Sequence, residues 1–127
     1  MKKIIIASIL FMNFNIFSMI VNPDNHNDIK ISRVSLFQMA SAKLCAQARE
    51  KNENRVSEYI GRHYVWGEES EPEVAYAQKI KNSEDFLKIP GASVIFESFV
   101  VQAKTRISQD ALKEERKDVV EFIKSLN

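Results

Sequence analysis

The stretch from Ile29 to Lys51 contains neither proline nor glycine, and it constrains the fold more than any other feature of the chain. Apolar residues recur in it at helical spacing, at Val34, Phe37, Leu44 and Ala48. Asp28 directly precedes it and is a residue type that caps helices. The stretch therefore predicts a long first helix, whose beginning is blurred by branched residues with some preference for strands.

A second helix is predicted over the segment ENRVSEYIGRHYVWG, in which Val56, Tyr59 and Ile60 share one face. Gly61 interrupts this segment at a cost of about 1 kcal/mol relative to alanine. We interpret it as a position where another helix crosses closely. Gly67 follows the last periodic residue, which is the usual place for a left-handed helix terminator.

A third helix is predicted to begin at Ser70, because Ser70 and Glu73 have the spacing of a capping box. We expect it to end near Asn82, with a separate short helix over residues 83–88. Its expected inward-facing residues are Val74, Tyr76, Ala77 and Ile80. The tripeptide at 89–91, Ile-Pro-Gly, is a firm stop.

The segment 92–107 is ambiguous, because it contains β-type residues but also a helical apolar stripe. Strict alternation of apolar and polar residues is absent, which favours a buried helix over a strand. Ser108 is then expected to cap a last helix with KEERKD as its solvated face. The expected inward stripe of that helix is Leu112, Val119, Phe122, Ile123 and Leu126. The sequence thus predicts an all-α fold, a compact bundle or orthogonal array of four to five helices in one domain, residues 29–127.

The first residues, MKKIIIASILFMNFNIFSM, have the layout of a secretory signal peptide. Two lysines precede an uncharged apolar run, and Ser18 is a small residue suited to a cleavage site. We predict a signal peptide over residues 1–18, a flexible leader over 19–28, and export to the periplasm or outside the cell. The alternative is an uncleaved anchor, because Ile4 to Val21 is about long enough to span a bilayer.

Without residues 1–18 the chain carries 16 Lys and Arg against 17 Asp and Glu, a net charge of −1. A nearly neutral domain has no overall field that would attract nucleic acid or anionic lipid, so neither is an expected partner. Cys45 is the only cysteine, so an intramolecular disulfide is impossible. We interpret it as a small buried apolar residue, with a disulfide between two protomers as the alternative.

Sequence motifs for chemistry are absent. There is no zinc pattern, no calcium loop, no GxSxG and no phosphate-binding loop, and the chain contains only three glycines. Cys45 and His63 could pair only if the first two helices crossed there. Glu68 beside Trp66 could act as an acid, but glutamates near the beginning of a helix are favoured there by the backbone dipole. We therefore predict no catalytic residue, no metal site and no cofactor.

The stretch HYVWGEESEPE, residues 63–73, gathers the only tryptophan, one of two histidines and four glutamates. Helix termination and capping explain its glycine, serine, proline and much of its charge, but not its aromatic residues. These residue types are common in protein interfaces, although tyrosine and tryptophan also fill cores. We predict a partner-binding surface, the polar-aromatic corner, made of Tyr59, Arg62, His63, Tyr64, Trp66, Glu68 and Glu69.

These features favour a small exported protein that acts by binding another protein, as an inhibitor, immunity or accessory factor. The glutamates of the corner suit a partner with a basic surface. A first alternative is a bundle that binds an apolar ligand in a cavity lined by the helix containing VIFESFVV. A second alternative is a small cell-wall-acting hydrolase.

Overall fold

The computed structural model describes residues 31–67 and 71–127, and within these ranges the protein is entirely helical. The helices are α1 (Arg33–Glu50), α2 (Asn54–Ile60) with a π-helical continuation (Gly61–Val65), α3 (Pro72–Leu87), α4 (Ala92–Lys113) and α5 (Lys117–Ser125). The predicted all-α bundle is therefore confirmed for this part of the chain, and the ambiguous segment 92–107 is helical. The predicted signal peptide and leader lie outside the described residues.

Helix α1 is the central element of the bundle. It packs against α2, the π-helical turn, α3 and α4, whereas α5 packs against α4 and α2. Its buried residues include Leu36, Met39, Ala40, Leu44, Cys45 and Ala48. The expectation that Val34 belongs to this face is wrong. Val34 is 68% exposed because it lies about 200° around the helix from the fully buried Leu36.

Both ends of α1 have identifiable hydrogen bonds. The helix is capped by Ser32 and not by Asp28: the Ser32 hydroxyl accepts a bond of 3.0 Å from the Ser35 backbone N–H. At the other end Asn52 adopts a left-handed conformation with φ of 59°. The backbone N–H groups of Asn52 and Glu53 bond back to the carbonyls of Arg49 and Ala48, which is a Schellman ending.

Helix α3 differs from its prediction in length and in its buried face. It runs without interruption to Leu87, so the expected end near Asn82 is wrong. Ser83 is tolerated inside the helix because its hydroxyl donates to the carbonyl of Ile80 at 2.7 Å. The side chains that α3 buries are those of Ala75, Ser83 and Phe86, whereas Val74 and Ala77 are exposed. The predicted stop at 89–91 is confirmed, since Gly91 has φ of 80°.

Helix α4 passes through Ser108 and ends at Lys113, so the expected cap at Ser108 is wrong. The break comes within KEERKD, where Glu115 has φ of 58°. The N–H groups of Glu115 and Arg116 bond to the carbonyls of Leu112 and Ala111, a second Schellman ending. Leu112, expected to face inward, is 68% exposed because Ala111 continues the buried stripe of α4.

Candidate functional site

The polar-aromatic corner begins where α2 widens into its π-helical turn. The Trp66 backbone N–H donates to the carbonyl of Gly61 at 2.7 Å, a bond that spans five residues. The indole ring of Trp66 lies against Gly61, where a Cβ atom would stand 2.5 Å from Cε2 and Cζ2 of the ring. Gly61 thus makes room for the indole and not, as expected, for a crossing helix. Gly67 ends the segment with φ of 59°, as predicted.

Three rings of the corner pack together on one side of this turn. The centroids of Tyr59 and His63 are 4.5 Å apart, and those of Tyr59 and Tyr64 are 6.3 Å apart in an edge-to-face arrangement. Phe37 of α1 packs edge-to-face on Tyr64, also with 6.3 Å between centroids. The cluster therefore extends from the buried ring of Tyr59 to the exposed imidazole of His63.

The two tyrosine hydroxyls are fixed by carboxylates near the end of α4. Tyr59 donates to Oε2 of Glu114, and Tyr64 donates to Oδ2 of Asp110, each at 2.6 Å. Burial of the ring, reinforced by the bond to Glu114, raises the pKa of Tyr59 to about 12. Burial and the bond to Asp110 raise the pKa of Tyr64 as well. Both phenols consequently remain protonated donors even at pH values near the ordinary pKa of tyrosine, about 10.

A small arginine pocket opens beside Tyr59 and has a volume of about 150 Å³. It is lined by Arg55, Glu58, Tyr59, Arg62, His63 and Arg116. Arg116 is held firmly, because it makes two bonds of 3.0 Å to Asp118 and its guanidinium carbon lies 4.9 Å from the Tyr59 ring centroid. Three arginines against one glutamate give the lining a formal charge of +2 with histidine neutral.

A second concave surface, the groove, lies on the other side of His63 and is open to solvent, with a volume of about 400 Å³. It is lined by Arg33, Val34, Phe37, Gln38, His63, Tyr64, Phe99, Gln102 and Arg106. The guanidinium carbon of Arg106 lies 6.0 Å from the centroid of the Phe37 ring, and its Nε lies 3.7 Å from Oδ2 of Asp110. The lining of the groove therefore mixes apolar side chains with charged and amide groups.

The predicted corner residues do not all belong to one surface. The exposed Arg62 and His63 and the nearly buried Tyr59 line the arginine pocket, whereas the half-buried Tyr64 lines the groove. Trp66 is half-buried and lines neither the pocket nor the groove. Its indole N–H is buried and has no acceptor among the described residues. Glu68 and Glu69 lie outside the described residues.

The sequence interpretation missed residues that the fold brings to this site from elsewhere in the chain. The missed residues include Phe37, Arg55, Gln102, Arg106, Asp110, Glu114 and Arg116. Arg55 has a detectable signal, since Arg55, Glu58 and Arg62 follow the three- and four-residue spacing of one helix face. Arg116 has none, because it reaches the pocket from the turn between α4 and α5.

Cys45 is fully buried between α1 and α2, where its thiol donates to the Ser57 carbonyl at 3.3 Å. Burial raises the pKa of the Cys45 thiol. The interpretation as a small buried residue is confirmed, and a disulfide between protomers does not fit this position. Nearby, Arg49 binds both carboxylate oxygens of Glu73 at 2.8 and 3.1 Å and stacks on Tyr76, which ties α1 to α3.

No three histidine, cysteine, aspartate or glutamate side chains among residues 31–67 and 71–127 are grouped so that they could hold a metal ion. Within the same ranges, every helix is too short or too polar to cross a bilayer. Compared with known proteins, the chain matches no protein-family model, no curated protein and no solved structure. The proposals below therefore depend on the geometry of the pocket and the groove.

Proposed function

We propose that this protein acts by binding another protein through the face that carries the arginine pocket and the groove. The observation that supports the proposal is that the two concave surfaces adjoin at His63. Arginine and tyrosine dominate binding hot spots because they combine a large contact area with polar groups. Here both residue types line one continuous surface.

The rigidity of the surface also favours binding. The hydroxyls of Tyr59 and Tyr64 are fixed by Glu114 and Asp110, and Arg116 is fixed by Asp118. Side chains that are already ordered lose less conformational entropy when a partner docks. Ordered tyrosine rings beside exposed arginines are therefore suited to recognition.

The place of action that we propose is the periplasm or the exterior of the cell, because the first 18 residues have the layout of a signal peptide. A small exported domain of this kind would serve as an inhibitor, an immunity factor or an accessory subunit. We propose no chemical reaction for it, since the sequence contains no catalytic motif.

A second candidate function is the binding of a small apolar molecule in the groove. Its volume of about 400 Å³ lies within the usual range for ligand sites, roughly 300–1,000 Å³. Phe37 and Phe99 would contact such a molecule. This candidate is weaker because the groove is open and ringed by polar groups, whereas apolar ligands are normally largely enclosed.

The two functions can be separated by affinity capture. C-terminally tagged protein, purified from a cell that exports it, would be used to capture partners from the exported proteins of its host. Arg106→Glu introduces a reversed charge into the groove, and Lys81→Glu makes the same change at an exposed residue that lines neither surface.

We expect a protein that is retained by the wild type and by Lys81→Glu but lost with Arg106→Glu. Equal retention by all three forms, or no retained protein, would refute the proposed function. An apolar molecule bound to the purified protein in native mass spectrometry would favour the second candidate instead.

A further inference from the structure

We infer that the arginine pocket binds a carboxylate of the partner protein, supplied by an acidic side chain next to an apolar residue. The inference rests on the proposed function and specifies the chemistry of the partner. It differs from the basic partner expected from the sequence. That expectation depends on Glu68 and Glu69, which lie outside the described residues, whereas the described lining of the pocket is rich in arginine.

The pocket contains arginine side chains that are available to an anion. The guanidinium of Arg55 makes no ion pair within the described ranges, and only its backbone carbonyl is used, as an acceptor for Arg116. The Arg62 side chain is 67% exposed, and its one ion pair among the described residues is with the similarly exposed Glu58 at 3.2 Å. Two guanidinium groups at the rim are therefore accessible to an incoming anion. Guanidinium binds carboxylate through two parallel hydrogen bonds, which gives both strength and orientation.

The pocket is also small and has one wall that is held in place. A volume of about 150 Å³ admits a carboxylate and its adjoining methylene groups but no large ligand. Arg116 forms a fixed wall, since Asp118, the Tyr59 ring and the Arg55 carbonyl all hold its guanidinium. Arg55 of α2 and Arg62 of its π-helical continuation line the same pocket, so the pocket presents guanidinium groups from this helix and from the turn before α5.

The ion pair between Glu58 and Arg62 favours an anion that is carried by a partner over a free anion. Glu58 already forms an ion pair with Arg62, so an incoming anion must displace Glu58 or share the guanidinium with it. A free monovalent anion gains little from that exchange. A carboxylate attached to a segment that also occupies the groove is held at a high effective concentration, which favours its binding in the pocket. Because His63 lines both surfaces, an acidic residue in the pocket and an apolar neighbour in the groove can come from one segment.

The test uses full-chain protein labelled with ¹⁵N, in which the side-chain N–H signals of arginine report contact with an anion. The first probe is a short acetylated and amidated peptide with glutamate next to leucine. The second probe replaces the glutamate by glutamine, and the third is inorganic phosphate at the same ionic strength. Arg55→Gln and Arg62→Gln remove the accessible charges, and Lys81→Gln is the matched control away from the pocket.

We expect the glutamate peptide to bind about tenfold more tightly than the glutamine peptide, as a charge-assisted pair requires. Each of Arg55→Gln and Arg62→Gln should weaken the glutamate peptide by roughly five- to tenfold, because each removes one guanidinium from the rim. Lys81→Gln should change nothing. The backbone signals of the core should be the same in all three variants, which shows that the fold is retained.

Equal affinity for the two peptides would overturn the inference, and so would the absence of any shift with all three probes. Stronger perturbation of the arginine signals by phosphate than by the glutamate peptide would also overturn it, since the pocket would then take free oxyanions. Failure of the carboxylate inference can be distinguished from failure of the proposed function. If a captured partner binds Arg55→Gln and Arg62→Gln normally but is lost with Arg106→Glu, only the carboxylate inference is wrong.

Discussion

The contact between Gly61 and Trp66 can be tested by the substitution Gly61→Ala. Gly61 has φ of −60° and ψ of −49°, an ordinary helical conformation that alanine adopts without strain. Helix propensity alone therefore predicts that alanine would stabilise the protein by about 1 kcal/mol. The new methyl group would, however, stand 2.5 Å from two carbon atoms of the indole, well inside van der Waals contact.

The clash decides the sign of the effect. Forcing a methyl group into an occupied position typically costs about 1–3 kcal/mol. Subtracting the gain in propensity leaves a net loss of about 0–2 kcal/mol for Gly61→Ala. In a Trp66→Ala background the indole is gone, so the same substitution should stabilise the protein by about 1 kcal/mol. The expected coupling between the two positions is therefore about 1–3 kcal/mol.

The assay is urea unfolding followed by circular dichroism for the wild type, the two single variants and the double variant. Trp66 is the only tryptophan, so its fluorescence reports directly on the position of the ring. A shift of emission to longer wavelength in Gly61→Ala would show that the indole has moved towards water. Gly67→Ala is the matched control, because a Cβ there meets no atom within 4 Å and its cost comes only from the left-handed backbone.

One result would refute this reasoning. If Gly61→Ala stabilised the protein by about 1 kcal/mol with and without Trp66, the indole would not be packed on Gly61. The π-helical turn would then need another explanation.

Three further predictions concern the hydroxyls and the thiol. Because the pKa of Tyr59 is raised to about 12, the folded state holds the proton more tightly than the unfolded state; the contribution of Tyr59 to stability should be constant below pH 10 and fall as the pH rises from 10 to 12. Tyrosinate absorbance should accordingly appear at higher pH in the folded protein than in urea, and coincident titrations would contradict the burial. Tyr59→Phe should cost about 1 kcal/mol in urea unfolding by removing the bond to Glu114, and a Glu114→Gln background should reduce that cost. Cys45 should react with a thiol reagent only when the protein opens, and the protein should run as a monomer on a non-reducing gel; rapid labelling in native buffer would argue against its position.

The helical class could be predicted from the sequence because breakers are few and lie at helix ends. Gly67 and Gly91 mark two of these ends, and both have the positive φ that glycine favours. The end of α4 could not be found this way, because Glu115 adopts the left-handed conformation without being glycine. The segment KEERKD contains neither glycine nor asparagine, the usual residues at such a position, so no local signal marked the turn.

Only the part of the candidate site that lies on α2 and its π-helical continuation could be predicted from the sequence. Tyr59, Arg62, His63 and Tyr64 lie close in sequence and include residue types that are common in protein interfaces. The partners Asp110 and Glu114 lie near the end of α4, and no feature of the sequence pairs them with the tyrosines. Whether a tyrosine is buried or exposed depends on such tertiary partners.

The two phenol–carboxylate bonds have a consequence for when the site can exist during synthesis of the protein. Tyr59 and Glu114 are 55 residues apart, and Tyr64 and Asp110 are 46 residues apart. A chain that has been made only as far as α3 carries the residues of the corner but lacks both acceptors and the Arg116 wall. The proposed binding face is therefore complete only after the chain has been made as far as Arg116, so a partner would recognise only chains that have passed that point.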